Sequence, residues 1–179
     1  MTLARWKKLR LIREVRNPWW TYRNEEFELP SGARGEYHFV HTNGSSLTIP
    51  VLDDGRIALV RQYRYLRDRE SLEFPCGSVK DGWTYEETAR SELAEEAGYA
   101  AADLMLIAEF NPYNGVTDEI CRVYLAKRLQ SIGSSPDETE QFELLSLTPH
   151  QIDRKVRSGE IWDGMSLAAW LLARDRFTT

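Results

Sequence analysis

The sequence predicts an α+β fold, a mixed β-sheet sandwich preceded by an N-terminal antiparallel β arm. Three observations carry that prediction. The first fifty residues alternate in short strand-like runs, one well-capped helix interrupts the strands in mid-chain, and two further helical patterns come only at the end. Strands mixed with a few separated helices do not give the regular strand–helix alternation of a doubly wound sheet. At 179 residues and 42% hydrophobic composition, the chain can bury one substantial core.

In order, "LRLIREV", "WWTYRNEEFEL" and "EYHFVHT" read as strands, separated by Asn17-Pro18, Pro30-Ser31-Gly32 and Asn43-Gly44. They form the arm, taken as residues 1–45, and residues 46–179 form the main domain. "LTIPVL" and "RIALVRQYR" flank Asp53-Asp54-Gly55, whose Asp-Gly pair predicts a tight hairpin. Thr84 as N-cap, Glu87 three residues later and Gly98 at the far end predict one helix over 85–97. The runs "LMLIAEF", "CRVYLAK" and "FELLSL" return to strand, Thr148-Pro149 opens a helix reaching about Arg157, and "GMSLAAWLLARDRF" supplies the last one.

Charge and composition exclude some functions. With 23 Lys and Arg against 28 Asp and Glu, a net charge of −5 argues against a nucleic-acid partner that needs a broadly basic surface. The basic start "MTLARWKKLRLIREVR" lacks the apolar run of a signal peptide, and no stretch has membrane-span length. Cys76 and Cys121 alone do not make a disulfide framework. A cytoplasmic protein without a membrane partner is expected.

The segment from Gly77 to Tyr99 gathers five glutamates and an aspartate. On a helix over 85–97, Glu92, Glu95 and Glu96 crowd one face while Ala89, Leu93 and Ala97 form the neighbouring small, apolar stripe. Glutamates so placed are either a solvated face or a cradle for a hard cation, since a cation removes the like-charge repulsion. The surrounding pattern favours the cradle. "GSVKDG" followed by "ELAEEAGY" resembles the signature of the Nudix hydrolases. Gly77 is the first glycine, Glu92 follows fifteen positions later with Glu95 and Glu96 at the metal-binding positions, and Gly98-Tyr99 closes the pattern. Two positions depart from it: Trp83 stands where the family has its first glutamate and Ser91 where it has an arginine, with Arg90 one place early.

Within the family, "LVRQYRY", "LEFPCG", "NPYNGVTDE" and "DETEQFELLSL" resemble the ADP-ribose pyrophosphatase branch. The resemblance implies a Nudix αβα sandwich with an N-terminal sheet and a homodimer whose N-terminal segments help shape the partner's site. It also implies hydrolysis of ADP-ribose, or of a nucleotide sugar, at the pyrophosphate. Mg²⁺, with Mn²⁺ as alternative, is the implied cofactor, held by Glu92, Glu95, Glu96 and the backbone carbonyl of Cys76. The implied catalytic groups are Glu138, or next Glu140, in the loop before the last strand, together with Glu95. A nucleotide-binding regulatory domain without efficient hydrolysis is the alternative, raised by Trp83 and Ser91.

Substrate-contact candidates are Arg61, Arg64, Glu73, Trp19 and Trp20. Alternation sets Arg61 with Tyr63 on one strand face and Gln62 with Arg64 on the other. Either arginine suits phosphate, and either suits a solvated strand end. Glu73 matches the family's Glu-any-Pro-any-Gly entry or is a structural carboxylate. A tryptophan at 19 or 20 stacks on a base or packs an interface. His38, His41 and His150 lack metal-ligand spacing and receive no chemistry.

Overall fold

The computed structural model describes residues 3–133 and 141–177. The chain divides into two compact units, Met1–Asn43 with Asn111–Glu119, and Gly44–Phe110 with Ile120–Thr179.

In the first unit, β1 (Lys7–Arg16), β2 (Thr21–Glu28) and β3 (Arg34–His41) form an antiparallel sheet in that order. β2 starts later than its sequence run suggests, because Trp19 and Trp20 belong to the preceding turn. Asn17 Oδ1 accepts hydrogen bonds from both of their backbone N–H groups, at 2.8 and 2.9 Å, an Asx-type turn. Segment 111–119 is sewn to β3. The Val40 N–H donates to the Val116 carbonyl at 2.8 Å, Val40 and Thr117 form a parallel bridge, and His41 Nδ1 lies 2.7 Å from Asp118 Oδ2.

The second unit holds two sheets. The mixed one runs β7 (Cys76–Ser78), β4 (Ser45–Pro50), β9 (Cys121–Ser131), β8 (Tyr99–Phe110), with β4 and β9 parallel. The other runs β10 (Glu143–Leu147), β5 (Ile57–Arg64), β6 (Arg69–Glu73), all antiparallel. The hairpin expected around Asp53-Asp54-Gly55 is therefore corrected. The turn forms, with Leu52 N–H bonded to the Arg56 carbonyl at 2.8 Å, but beyond a single Val51–Ile57 bridge the two strands part into different sheets. β4 is buried along its whole length and pairs with β7 on one edge and β9 on the other, so no edge remains for β5.

Among the described residues three α-helices flank the two sheets of this unit: α1 (Tyr85–Ala97), α2 (Pro149–Ser158) and α3 (Gly164–Ala173). The layering follows from β4. Its Leu47 and Ile49 join the core containing Ile152 of α2 and Ala169, Trp170 and Ala173 of α3. Its Ser46 and Thr48 point the other way, their hydroxyls donating to the carbonyls of Tyr85 and Ala89 on α1 at 2.6 and 3.4 Å. β5 repeats the division, with Ile57 and Leu59 in the first core and Val60 beside Leu93 and Ala97 of α1. This is the αβα sandwich. Both faces of β4 are dry, which is why hydroxyls there bond to helix carbonyls.

Trp170 anchors the α2/α3 side. It is 3% exposed, stacks on Phe177 at 5.6 Å and donates its indole N–H to Asp153 at 2.8 Å. Trp170→Ala is expected to lower unfolding free energy by about 3–5 kcal/mol, read as a reduced urea midpoint. No helix among the described residues is long and apolar enough to cross a membrane.

Candidate active site

α1 is closed at both ends by its own sequence. Thr84 Oγ1 accepts from the Glu87 N–H at 3.2 Å, while the Glu87 carboxylate accepts from the Thr84 N–H at 2.7 Å. The Thr84 N–H, and then the Thr84 hydroxyl at 2.7 Å, hold the Glu87 carboxyl below its ordinary range. At the other end Gly98 takes the left-handed conformation, φ 71°, that terminates a helix without Cβ strain.

Leu93, Ala89 and Ala97 turn inward, Glu96 is buried against β7, and Glu92 and Glu95 are half-buried. Glu96 is 6% exposed, and its carboxylate accepts from the Cys76 N–H at 3.1 Å, tying the end of α1 to β7. Glu92 lies against Gly77. A Cβ on Gly77 would fall 2.1 Å from Glu92 Oε1, so only glycine leaves room for that carboxylate. Glu95 accepts from the Ser91 hydroxyl at 2.5 Å. Arg90 is engaged elsewhere, with Glu86 at 2.8 Å and the Ala101 carbonyl at 2.9 Å.

The donor set, three carboxylates beside the Cys76 peptide, is all oxygen and suits a hard divalent cation. The cradle at Gly77 gives it a packed floor. Among the described residues no three Asp, Glu, His or Cys side chains already close around a common point. The Cys76 thiol is pushed well up in pKa by the Cys121 thiol and by burial, so its side chain behaves as a small hydrophobe.

A cleft of about 670 Å³ is lined by Gln62, Arg64, Tyr65, Glu73, Trp162 and Asp163 among others. Glu73 is 2% exposed yet satisfied: Arg64 Nε donates to its Oε1 at 2.8 Å, Arg64 Nη2 to its Oε2, and Gln62 Nε2 to Oε2 at 3.3 Å. The hydrogen bonds to Glu73 raise the Arg64 pKa, with smaller contributions from the charges of Asp163 and Glu96. Arg64 therefore sits in the field of both the cleft and the glutamate helix. Arg64→Ala leaves a buried carboxylate with only an amide partner, and is expected to destabilise by about 1–3 kcal/mol, seen in chemical denaturation.

Arg61 behaves differently. It pairs across the ladder with Glu143 at 2.7 Å on the opposite strand face. Trp19 and Trp20 are 78% and 45% exposed, so neither indole belongs to a core within the chain. Glu138 and Glu140 lie outside the described residues. Trp83, at the position of the family's first glutamate, carries Lys80 Nζ 5.0 Å from its ring centre.

The sequence reading missed Trp162 and Asp163. Trp162 donates its indole N–H to the Glu70 carbonyl at 3.0 Å and has the Arg69 guanidinium 4.2 Å from its ring centre, while Asp163 caps α3 through the Ser166 N–H at 2.7 Å. The Asp before Gly164 was a legible N-cap signal; nothing in the linear sequence brings it to Arg64.

A glycine-floored carboxylate face on a capped helix, set in an αβα sandwich, defines the class, and residues 42–164 match the NUDIX domain family. The chain belongs to the Nudix hydrolases and is a pyrophosphohydrolase of the type resembling ADP-ribose pyrophosphatases. It is 34% identical to an ADP-ribose pyrophosphatase of Bacillus subtilis (strain 168), over 81% of this chain and 80% of that protein. It is 29% identical to a methanol dehydrogenase activator of Bacillus methanolicus, over 81% and 80% respectively. A crystal structure of an ADP compounds hydrolase superposes with a TM-score of 0.85 at 21% identity, covering 98% of this chain and 96% of that one, a likeness of fold.

Proposed function

We propose that the protein hydrolyses the pyrophosphate of a nucleoside diphosphate derivative, ADP-ribose first among them, to AMP and ribose 5-phosphate, with Mg²⁺ as cofactor and Mn²⁺ as its substitute. The observation that carries this reading is the set of three glutamates on α1, Glu92 against Gly77, Glu96 bonded to the Cys76 N–H and Glu95 to the Ser91 hydroxyl, with the charge of Glu96 felt by Arg64 of the cleft. The relative from Bacillus subtilis supports the choice of substrate.

Glu92, Glu95, Glu96 and the Cys76 carbonyl would hold the metal, which when bound neutralises charge on phosphate oxygens and acidifies water. Arg64, fixed by Glu73, presents its remaining N–H groups toward the diphosphate. Glu73 is thereby a positioning residue for Arg64. Glu138, with Glu140 as second candidate, orients or deprotonates the attacking water alongside Glu95. Arg61, held by Glu143, is the lesser phosphate candidate.

The exposed Trp19 and Trp20, with Trp6, Leu11 and Val15, suit a homodimer in which this sheet meets the second copy and one indole reaches the substrate base. Cys76 and Cys121, reduced rather than joined in a disulfide, agree with a cytoplasmic setting.

The test is kcat/KM across ADP-ribose, GDP-mannose and other nucleotide sugars, and dinucleoside polyphosphates. Preference for ADP-ribose by tenfold or more supports the assignment, and a nucleotide sugar turned over better than ADP-ribose replaces it. The second reading, a nucleotide-binding regulator, is favoured by Trp83 in place of a carboxylate and by the activator among the relatives. It predicts tight ADP-ribose binding with no turnover at any Mg²⁺ concentration.

A further inference from the structure

The three glutamates on α1 are fixed in three different ways. Glu92 is confined by the floor at Gly77, and Glu96 accepts from the Cys76 peptide N–H, so both are referred to the backbone of β7. Glu95 has no such anchor. Among the described residues its carboxylate has one hydrogen-bond partner, the Ser91 hydroxyl one helical turn earlier, at 2.5 Å. That length is typical of a hydroxyl donating to a charged carboxylate, and the i,i+4 spacing puts the two side chains on the same helix face.

Ser91 occupies the position where the family resemblance expects an arginine, and the neighbouring guanidinium does not take over. Both the Nε and Nη2 groups of Arg90 go to Glu86 Oε1, at 3.1 and 2.8 Å, and Nη1 goes to the Ala101 carbonyl. Glu95 is thus oriented by a neutral donor. A hydroxyl supplies one proton to Oε1, leaving Oε2 and a further lone pair on Oε1 open and the full negative charge in place.

We propose that Ser91 is a positioning residue, its hydroxyl holding the Glu95 carboxylate in the orientation that receives a divalent cation. The inference rests on the reading of Glu92, Glu95 and Glu96 as cation-holding residues. Without the hydroxyl, Glu95 regains rotamer freedom that must be lost again on cation binding. Partners that orient metal ligands in this way are typically worth about 10- to 100-fold in affinity or activity.

The experiment titrates Mn²⁺ into the metal-free full-length wild type, Ser91→Ala and Ser91→Thr, following free Mn²⁺ by electron paramagnetic resonance. The melting temperature of each metal-free protein and kcat and KM for ADP-ribose are measured alongside. Ser91→Ala is expected to bind Mn²⁺ about tenfold more weakly and to lose kcat with little change in KM. Ser91→Thr, which keeps the hydroxyl, is expected to recover most of both. Wild-type Mn²⁺ affinity in Ser91→Ala, or a change confined to melting temperature, overturns the role of Ser91 while leaving the glutamates' role standing. A threonine variant as weak as the alanine variant also contradicts it. Failure of the wild type itself to bind Mn²⁺ overturns the reading of the glutamates, and this inference with it.

Discussion

Glu96→Gln is expected to abolish metal-dependent turnover while leaving the fold in place. Glu96 is nearly buried, and its carboxylate receives the Cys76 N–H at 3.1 Å. A glutamine of the same shape can still accept that bond through its amide oxygen, so the tie between α1 and β7 survives. What disappears is the charge. Removing a residue that merely orients a metal ligand lowers activity by about 10- to 100-fold, so removing a ligand itself should exceed roughly 100-fold. Turnover of ADP-ribose at saturating Mg²⁺ measures the loss, and an unchanged circular dichroism spectrum certifies the fold. Full activity in this variant removes Glu96 from the proposed chemistry.

Gly77→Ala is the second large effect, and its logic is steric. The added methyl group would lie 2.1 Å from Glu92 Oε1 and 2.2 Å from its carboxyl carbon, contacts that no structure tolerates. Gly77 itself does not have a positive φ, so alanine meets no backbone strain there. The clash therefore falls on the mobile end of one side chain, which must swing away. We expect turnover to drop by about 10- to 100-fold with a melting temperature close to that of the wild type. A double-mutant cycle isolates the cause: in a Glu92→Ala background there is no carboxylate left to displace, and Gly77→Ala should then have little further effect. Equal losses in both backgrounds would place the role of Gly77 outside its contact with Glu92.

The helix carrying the site was legible because its signals are local. A capping box at Thr84 and Glu87, a glycine at 98 and an inward stripe of Ala89, Leu93 and Ala97 all lie within fifteen residues, and each recurs in the structure. Long-range pairing was harder to read. Asp53-Asp54-Gly55 does make a turn, but local sequence cannot tell that β4 already has a partner on each edge, so the predicted hairpin gives way to a crossing between sheets. Likewise β8 begins at Tyr99, well before "LMLIAEF": alanines have little strand preference of their own, and Ala100 and Ala101 are held by pairing with Gln130 and Leu129 of β9.

The site shows the same division. The alternation that separated Arg61 from Arg64 is visible in the strand, but which arginine faces the cleft depends on Glu73 and Glu143, from strands on opposite sides of β5. The Ser91–Glu95 bond is an i,i+4 contact within reach of sequence reasoning, whereas the approach of Trp162 and Asp163 to the cleft is a product of the tertiary fold.

The central claim is that this carboxylate face makes the chain an ADP-ribose hydrolase. Its most direct test is a time course of purified protein with ADP-ribose, with Mg²⁺ or with excess chelator, the products resolved by chromatography. AMP and ribose 5-phosphate appearing in equal amounts, only with Mg²⁺, is the predicted result. ADP-ribose recovered intact in both arms, while still bound by the protein, would contradict the account.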